Sequence, residues 1–184
     1  MIEIRTGRLT LRPYRDDEAD LLGLLLRDRR VFFWSEAPVT ERDVENVLNR
    51  SLALRPKGLG WFAAFSEDRD RFVGDAVLQP LAGTGEIEIG YHLVPDAWGK
   101  GYATEAAEAL LDYGFQALRL PRVVAVALPE NRRSLRVLER LGLPYIEDRI
   151  HADHLHRYHA LTRAEYLAAR EAIVQRDAAE QSES

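Results

Sequence analysis

The sequence predicts an α/β fold of the α+β kind, with a central mixed, mostly antiparallel sheet of six to seven strands flanked by helices. Three observations predict it. Strand-like runs that alternate apolar and polar residues follow one another through short links in the first half of the chain. At residues 101–118 the hydrophobic period changes from about two to about 3.6 residues. That segment and its neighbours form a strand-helix-strand-helix passage.

The first 60 residues predict one strand and two helices. The alternating run Leu9–Arg15 is typical of a strand, and the acidic pair after it marks the start of a leucine-rich helix that ends near Leu26. The second helix begins at Thr40, because Asp43 three residues later completes a variant of the capping box. Two glycines then end this helix.

The rest of the chain predicts a meander, the mixed passage and a closing hairpin. The runs 61–66, 72–81 and 86–94 read as strands, and the short polar links between them favour antiparallel pairing. The later elements are a helix over 101–118, a strand over 122–128, a helix over 132–141, hairpin strands over 145–151 and 155–161, and a helix capped by Thr162.

Length and composition predict a single domain over residues 1–179 and a polar C-terminal tail over residues 180–184. The 184 residues carry 25 Lys and Arg against 30 Asp and Glu, and the formal charge of −5 argues against non-specific binding to nucleic acid or to an anionic membrane. The lack of cysteine excludes disulfides, thiolate metal sites and a Cys nucleophile. With no signal-like apolar start and no membrane-length apolar run, we expect a cytoplasmic protein.

The segment Trp98–Ala106, between a predicted strand and an amphipathic helix, carries the first chemical signal. Gly99 and Gly101 admit a ligand close to the backbone, and the first-turn amides of the helix point outward with the positive end of its dipole. Lys100 adds positive charge. The segment therefore indicates a phosphate site, although two glycines before a helix also serve as a plain turn. The spacings of the Walker and dinucleotide fingerprints are absent.

Four further stretches carry a family resemblance together with this loop: Thr6–Arg12, Glu88–Tyr91, Ala127–Ser134 and Leu141–Leu143. In this combination the chain resembles the GNAT acetyltransferase superfamily, specifically the branch that contains the ribosomal-protein N-terminal acetyltransferases. The resemblance spans approximately Thr6 to Tyr166. It implies the GNAT fold with a strand-helix-strand core that binds acetyl-CoA. It also implies direct acetyl transfer in a ternary complex.

The resemblance implies acetyl-CoA as co-substrate, and no metal is expected from the residues. The family's pyrophosphate loop, Gln/Arg-x-x-Gly-x-Gly/Ala, falls on Trp98–Ala103, where Trp98 departs from the usual Gln or Arg. A backbone amide near Leu93, where the family parts two parallel strands, would meet the oxyanion. The residues that the resemblance assigns to acetyl-CoA are Leu93, Val94, Trp98, Gly99, Lys100, Gly101, Tyr102, Ala103, Thr104, Asn131 and Ser134.

Two side chains are candidates for catalysis. The resemblance favours Glu88 as the base, although Glu86 lies on the same strand face and either carboxylate could instead be solvated. The resemblance assigns Ser134, three residues after Asn131, to the departing thiolate. Leu138 occupies the superfamily's tyrosine position and cannot donate a proton, which excludes tyrosine-assisted departure from that site. Helix capping is the alternative for both Ser134 and Asn131.

Trp34 is a candidate contact for the acceptor, together with Glu88, because the resemblance places the loop between the first two helices at the acceptor cleft. Packing in the core is its alternative. Four histidines crowd the predicted closing hairpin: His151, His154, His156 and His159. Strand alternation separates them and no HExxH motif is present, so surface or cleft positions are expected rather than a metal site.

Two functions from different classes follow from the sequence. The first is an acetyl-CoA-dependent N-acetyltransferase that acts on the amine of a protein N-terminus or of a small molecule. The second is a catalytically silent fold that binds CoA thioesters as a sensor or interaction module. The expected partner is an amine acceptor rather than a nucleic acid or a membrane, and the resemblance allows a homodimer. The identity of the acceptor and the length of the acyl group are left open.

Overall fold

One sheet of eight strands forms the centre of the molecule. The structure is a computed structural model that describes residues 2–33, 37–66 and 71–182. Its strands are β1 (Ile4–Arg5), β2 (Leu9–Pro13), β3 (Gly60–Ser66), β4 (Arg71–Pro80), β5 (Ile87–Leu93), β6 (Arg122–Ala127), β7 (Tyr145–His151) and β8 (His154–Thr162). Its α-helices are α1 (Ala19–Leu26), α2 (Glu41–Leu54), α3 (Tyr102–Asp112), α4 (Arg132–Arg140) and α5 (Arg163–Ser182).

The strands lie in the order β1-β2-β3-β4-β5-β6-β8-β7. Every neighbouring pair is antiparallel except β5 and β6, which run parallel with Glu88 opposite Val124. The predicted mixed, mostly antiparallel sheet is therefore confirmed. It has one more strand than the upper limit that we expected, because the two-residue strand β1 pairs with β2.

Side-chain hydrogen bonds fix the start of α2 and the turn before α1. The Thr40 side chain accepts from the backbone amide of Asp43, and the Asp43 carboxylate accepts from the Thr40 amide, so the predicted capping box is present. The first helix begins at Ala19, later than we predicted. The Glu18 carboxylate there accepts from the backbone amide of Arg15 and from the guanidinium of Arg12, which ties the turn before α1 to β2.

The predicted helix over 101–118 is correct in position but not uniform. The α-helix ends at Asp112, and a π-helical turn continues it over Tyr113–Ala117. The final helix begins after Thr162, whose backbone amide and hydroxyl both donate to the Glu165 carboxylate. It runs to Ser182 and so includes the first three residues of the predicted tail. Among the helices described, none is long and apolar enough to cross a membrane.

Apolar side chains pack on both faces of the sheet. On one face, Leu110 and Phe115 from the α3 region pack with Leu78 of β4, and all three are fully buried. On the other face, Leu22 of α1 and Leu48 of α2 pack beside β3 and β4. Each strand at the centre of the sheet therefore presents one face to each apolar cluster, so successive side chains along β4 and β5 reach opposite sides of the molecule.

A β-bulge in β4 changes which face its side chains reach. The register between β3 and β4 shifts, so that Val73 has no residue opposite it. Val73 packs in the cluster with Leu78, whereas Asp75, two residues later, contacts Tyr14 in the other cluster. Gly74 forms the bulge with φ 144°, and a Cβ there would lie 2.1 Å from the carbonyl oxygen of His92. Only glycine fits this position without moving β5.

We expect Gly74→Ala to lower the free energy of unfolding by about 3 kcal/mol, because it adds both backbone strain and a clash with main-chain atoms. The matched control is Gly90→Ala in β5, where the nearest atom to an added Cβ is the Val77 Cβ at 3.7 Å. That variant should cost less than about 1 kcal/mol. Urea unfolding of both variants measures the difference, and equal costs would contradict this account of the bulge.

Candidate active site

A cleft of about 960 Å³ opens where β5 and β6 part beyond their single pair of facing residues. Its walls come from the loop after α1, the end of β5, the loop and first turn of α3, and α4. Eight of the residues assigned to acetyl-CoA from the sequence line this cleft: Leu93, Trp98, Gly99, Gly101, Ala103, Thr104, Asn131 and Ser134.

The loop before α3 presents unpaired backbone amides to the cleft. Gly99 and Gly101 have φ of 74° and 82°, which glycine adopts without strain, and Gly101 is the N-cap of α3. No side chain caps this helix start, and the first intrahelical bond of the turn runs from the Glu105 amide to the Gly101 carbonyl. The amides of Tyr102, Ala103 and Thr104 therefore remain available to an anionic ligand.

A set of contacts from the N-terminal strand region fixes this loop. The Arg8 guanidinium donates to the Lys100 carbonyl at 2.9 Å and to the Glu105 carboxylate at 2.7 Å. The Thr6 hydroxyl donates to the same carboxylate at 2.6 Å. Because Arg8 and Thr6 satisfy Glu105, its negative charge beside the helix start is offset and interferes less with a bound anion. Lys100 and Tyr102 themselves are not among the lining residues.

Positive charge enters the cleft from α4. Four arginines of this helix line it: Arg132, Arg133, Arg136 and Arg140. The Arg133 guanidinium lies 4.4 Å from the centroid of the Trp98 ring, a cation-π contact that joins α4 to the loop. The Trp98 indole also donates to the Leu93 carbonyl at 2.8 Å. Trp98 therefore connects the loop to β5 and α4 by its ring, in place of the polar contact of the usual Gln or Arg.

Ser134 and Asn131 meet at the start of α4, where the Asn131 side chain accepts from the Ser134 amide at 3.2 Å. Asn131 is therefore the N-cap of α4, which is the helix-capping role given as the alternative from the sequence. The Ser134 hydroxyl lies 3.0 Å from the Tyr91 hydroxyl, which donates to the Ser134 carbonyl at 3.0 Å. Burial raises the pKa of the Tyr91 phenol well above its ordinary value. The sequence reasoning overlooked Tyr91, although it is part of the motif Glu88–Tyr91. Leu138 is buried in the core.

The two candidate bases have different surroundings. Glu86 accepts from the Tyr158 hydroxyl and pairs with Arg149 at 3.3 Å and Arg122 at 3.7 Å. Glu88 contacts none of these arginines, and it accepts from the Gln79 side chain at 2.8 Å. Glu86 is therefore held in an ion-pair network with two arginines, whereas the hydrogen-bond partner of Glu88 is the neutral side chain of Gln79.

Burial raises the pKa of Glu88, while the hydrogen bond from Gln79 and the charges of His92 and His156 act in the opposite direction. A raised pKa suits a carboxylate that must take up a proton near neutral pH. Glu88 does not line the cleft itself. It lies in β5 on the strand face that also carries Gly90 and His92.

His92 and Asp75 are two further residues that sequence reasoning missed. His92 lines the cleft, and its Nδ1 lies 2.8 Å from Oδ1 of Asp75, which has no solvent exposure. The two residues face each other across β4 and β5. The sequence signal for this pair is the register of the hairpin. Asp75 and His92 lie the same number of residues from the turn at residues 83–84, so they face each other across the two strands.

The remaining predicted residues lie elsewhere. The Val94 amide donates to a backbone carbonyl of β4 at 3.1 Å, and the residue does not line the cleft. Trp34 lies outside the described residues, whereas its neighbour Phe33 lines the cleft. In the hairpin of β7 and β8, His159 is buried and bonds to the Leu143 carbonyl through Nδ1. Within the described ranges, no group of three or more His, Cys, Asp or Glu is placed to hold a metal ion.

The fold points to a class of enzyme, the acetyltransferases. Residues 8–144 match the family described as "Acetyltransferase (GNAT) domain", and the chain belongs to this family. It is 34% identical over 148 residues to the uncharacterized N-acetyltransferase p20 of Bacillus licheniformis, covering 77% of this chain and 82% of that protein. The enzyme class is therefore N-acetyltransferase.

Solved structures share the whole architecture. A GNAT-family acetyltransferase from Bacillus anthracis superposes with a TM-score of 0.76 at 29% identity, and the match covers 89% of this chain and 100% of that chain. The ribosomal-protein-S5-alanine acetyltransferase of Vibrio fischeri (TM-score 0.72, 18% identity, 90% and 99% covered) has the same fold. So does the spermidine N-acetyltransferase of Vibrio cholerae in complex with CoA and spermine (TM-score 0.73, 18% identity, 88% and 99% covered). The predicted resemblance to the GNAT superfamily is confirmed.

The raised pKa of Glu88 predicts a pH-dependent difference in stability between the wild type and Glu88→Gln. A carboxyl whose folded pKa exceeds its unfolded value of about 4.3 stabilises the fold while it is protonated, and this contribution is lost as pH rises through the folded pKa. Gln imitates the protonated form at every pH. We therefore expect Glu88→Gln to gain stability relative to the wild type between about pH 4 and pH 7.

Urea unfolding at several pH values in this window tests the expectation. Glu45→Gln, on an exposed position of α2, is the control for loss of one carboxylate from the surface. The difference between the two variants isolates the effect of burial at Glu88. A Glu88→Gln variant that loses stability relative to the wild type as pH rises would show that the environment instead favours the charged carboxylate.

Proposed function

We propose that this protein is an acetyl-CoA-dependent N-acetyltransferase that transfers the acetyl group directly to a primary amine, either of a protein N-terminus or of a small molecule. The observation that carries the proposal is the convergence of the unpaired first-turn amides of α3 and the arginines of α4 on one cleft beside the end of β5. Amides at a helix start and guanidinium groups are the two donors best suited to a pyrophosphate and its neighbouring phosphate.

The cleft also offers a place for the thioester. Leu93 lies at the end of β5, where its carbonyl is held by Trp98, and we assign a backbone amide near it to the developing oxyanion. Ser134 and Tyr91 lie on the α4 side of the same strand end. We assign their linked hydroxyls to the thiolate as it departs, because a hydroxyl stabilises developing negative charge on sulfur by hydrogen bonding.

The acceptor amine must lose a proton to form the amide. Glu88 is the base proposed from the sequence, but it does not line the cleft, whereas His92 on the same strand face does. The cleft wall formed by the loop after α1, with Arg30 and Phe33, is the proposed acceptor side, which is also where the sequence places Trp34. The proposed acceptor of the enzyme is the amine of a protein N-terminus or of a small molecule. From the resemblance we also propose a homodimer. We propose that the enzyme acts in the cytoplasm, as the cysteine-free composition supports.

Acetyl-CoA binding should depend on the first turn of α3. At 100 times its dissociation constant, a ligand adds about 2.7 kcal/mol, which for a domain of this size is a rise in Tm of about 5 to 10 °C. Thr104→Glu places a negative charge among the free amides and should abolish this rise, although Glu is well tolerated in a first helical turn. Thr104→Gln adds the same volume without the charge and should keep most of it.

Thermal unfolding with and without acetyl-CoA measures the shift in Tm of the wild type, Thr104→Glu and Thr104→Gln. Loss of the shift in Thr104→Glu alone would support an anionic ligand at this turn. The same shift in Thr104→Glu as in the wild type would remove the pyrophosphate from this loop, and with it the proposed site.

Turnover should depend on Ser134. We expect Ser134→Ala to lower the rate of amine-dependent CoA release by roughly 10- to 100-fold, the value of one hydrogen bond to a charged atom. The Tm shift with acetyl-CoA should persist, because the Asn131 cap bonds to the Ser134 backbone amide, which alanine retains. The assay uses a thiol reagent with a panel of amines that includes short peptides and polyamines. Unchanged turnover in Ser134→Ala would exclude the hydroxyl from the reaction, and wild-type binding without turnover on any amine would favour the silent module.

A further inference from the structure

We propose that His92, held by Asp75, is the group that takes the proton from the acceptor amine, and that Glu88 is not the base. The inference rests on the proposed acetyl transfer at this cleft and names the residue that performs its first proton transfer. It is carried by the position of His92 in the cleft wall and by its bond to a fully buried carboxylate.

The position of His92 follows from the end of β5. It immediately precedes Leu93, beside which we place the thioester carbonyl, and it lines the same cleft. Its side chain is 17% exposed, so it remains accessible to a ligand. Glu88 lies four residues earlier on the same strand face and does not line the cleft. A proton acceptor must come within hydrogen-bond reach of the amine or of one bridging water, and His92 is the better placed of the two.

The bond to Asp75 determines which ring nitrogen is free. A carboxylate oxygen only accepts, so the contact with Asp75 selects the neutral tautomer of His92 that has its proton on Nδ1 and its lone pair on Nε2. Among the described residues, the hydrogen bond of the His92 ring is the one at Nδ1, which leaves Nε2 without a partner. The arrangement is that of a general base whose tautomer is set by a second residue.

Asp75 is itself fixed on both oxygens. Its Oδ2 accepts from the Tyr14 hydroxyl at 3.2 Å, while Oδ1 contacts His92. Burial, with the adjacent Asp75 carboxylate, raises the pKa of Tyr14 well above its ordinary value, so the phenol stays protonated and remains a donor. The carboxylate is therefore oriented before substrate binds, and it stabilises the imidazolium that forms when His92 takes a proton.

Aromatic stacking restricts the imidazole ring. It stacks on Phe32 with centroids 4.6 Å apart and on Trp61 with centroids 5.1 Å apart. The Trp61 indole is fixed in turn by its bond to Gln79, which also donates to Glu88. Glu88 therefore serves to hold Gln79 and Trp61 beside the histidine, and its negative charge is available to the acceptor cation.

The step balances without any further reagent. The amine nitrogen forms a bond to the thioester carbonyl carbon and gives one proton to Nε2 of His92. The carbon-sulfur bond then breaks, and the CoA thiolate receives a proton through the hydroxyls of Ser134 and Tyr91. His92 then releases its proton to solvent, and the hydroxyl pair takes up one proton from solvent. These two exchanges restore the resting enzyme. The products are an amide and CoA thiol.

The first test compares His92→Gln with Glu88→Gln in the full chain. We expect His92→Gln to lower kcat by at least about 100-fold, the usual contribution of a general base, and to leave the Kd for acetyl-CoA within about twofold. Glu88→Gln should cost less in kcat and should act more on the KM of a cationic amine. His154→Gln, an exposed histidine of β8, is the matched control and should keep wild-type turnover.

The second test uses free imidazole to separate chemistry from structure. His92→Ala leaves a space beside Asp75 and the two aromatic rings, and added imidazole should restore its kcat by at least about tenfold. Asp75→Asn should also lower kcat by at least about tenfold, because the amide can donate to Nδ1 and shift the ring proton to Nε2. Imidazole should not restore this variant, since its histidine is still in place.

Two outcomes overturn the proposal. One is His92→Gln with more than a tenth of wild-type kcat, and the other is a larger loss of kcat in Glu88→Gln than in His92→Gln. Failure of rescue, with folded His92→Ala that still binds acetyl-CoA, also counts against a proton-transfer role. Wild-type acetyl-CoA binding and turnover report on the proposed function alone, so its failure is distinguishable from failure of the His92 assignment.

Discussion

The parting of β5 from β6 is the constraint on which the rest of the site depends. Parallel strands in the middle of a sheet normally continue their ladder, yet here the pair has one set of facing residues, Glu88 and Val124. Beyond that point, the backbone of β5 needs other partners. The Trp98 indole supplies one at the Leu93 carbonyl. This bond satisfies the strand end without a ladder partner from β6.

Because side chains alternate along β5, those at the end of the strand reach both faces of the sheet. Tyr91 reaches the start of α4 and contacts Ser134, on the side where the α3 amides and the arginines lie. His92 and Glu88 reach the other side, beside Trp61 and Gln79. Two reactants can therefore approach the same backbone from opposite faces. This arrangement supports the proposed direct transfer in a ternary complex, and the chain has no cysteine that could form an acyl-enzyme.

Local signals made most of the fold and the backbone conformation of the loop before α3 predictable. Capping boxes depend on residues three positions apart, so Thr40 with Asp43 could be recognised without any tertiary information. The same holds for the glycines before α3, which set a local backbone conformation. The choice between Glu86 and Glu88 could not be made in this way, because the arginines that occupy Glu86 come from strands far away in sequence. The π-helical turn after α3 likewise has no signal that periodicity detects.

The His92 and Asp75 pair required the register of a hairpin, and its burial is also the strongest argument that it serves chemistry. Removing a carboxylate from water costs several kcal/mol unless partners satisfy it, and apolar residues of similar volume commonly give equal or greater stability. Asp75 has no exposure and uses both oxygens on Tyr14 and His92. The bulge at Gly74, which only glycine fits, turns β4 so that Asp75 reaches this side of the sheet. A fold that needed only a filled core would gain nothing from this carboxylate, whereas a histidine that must keep one nitrogen free gains its tautomer from it.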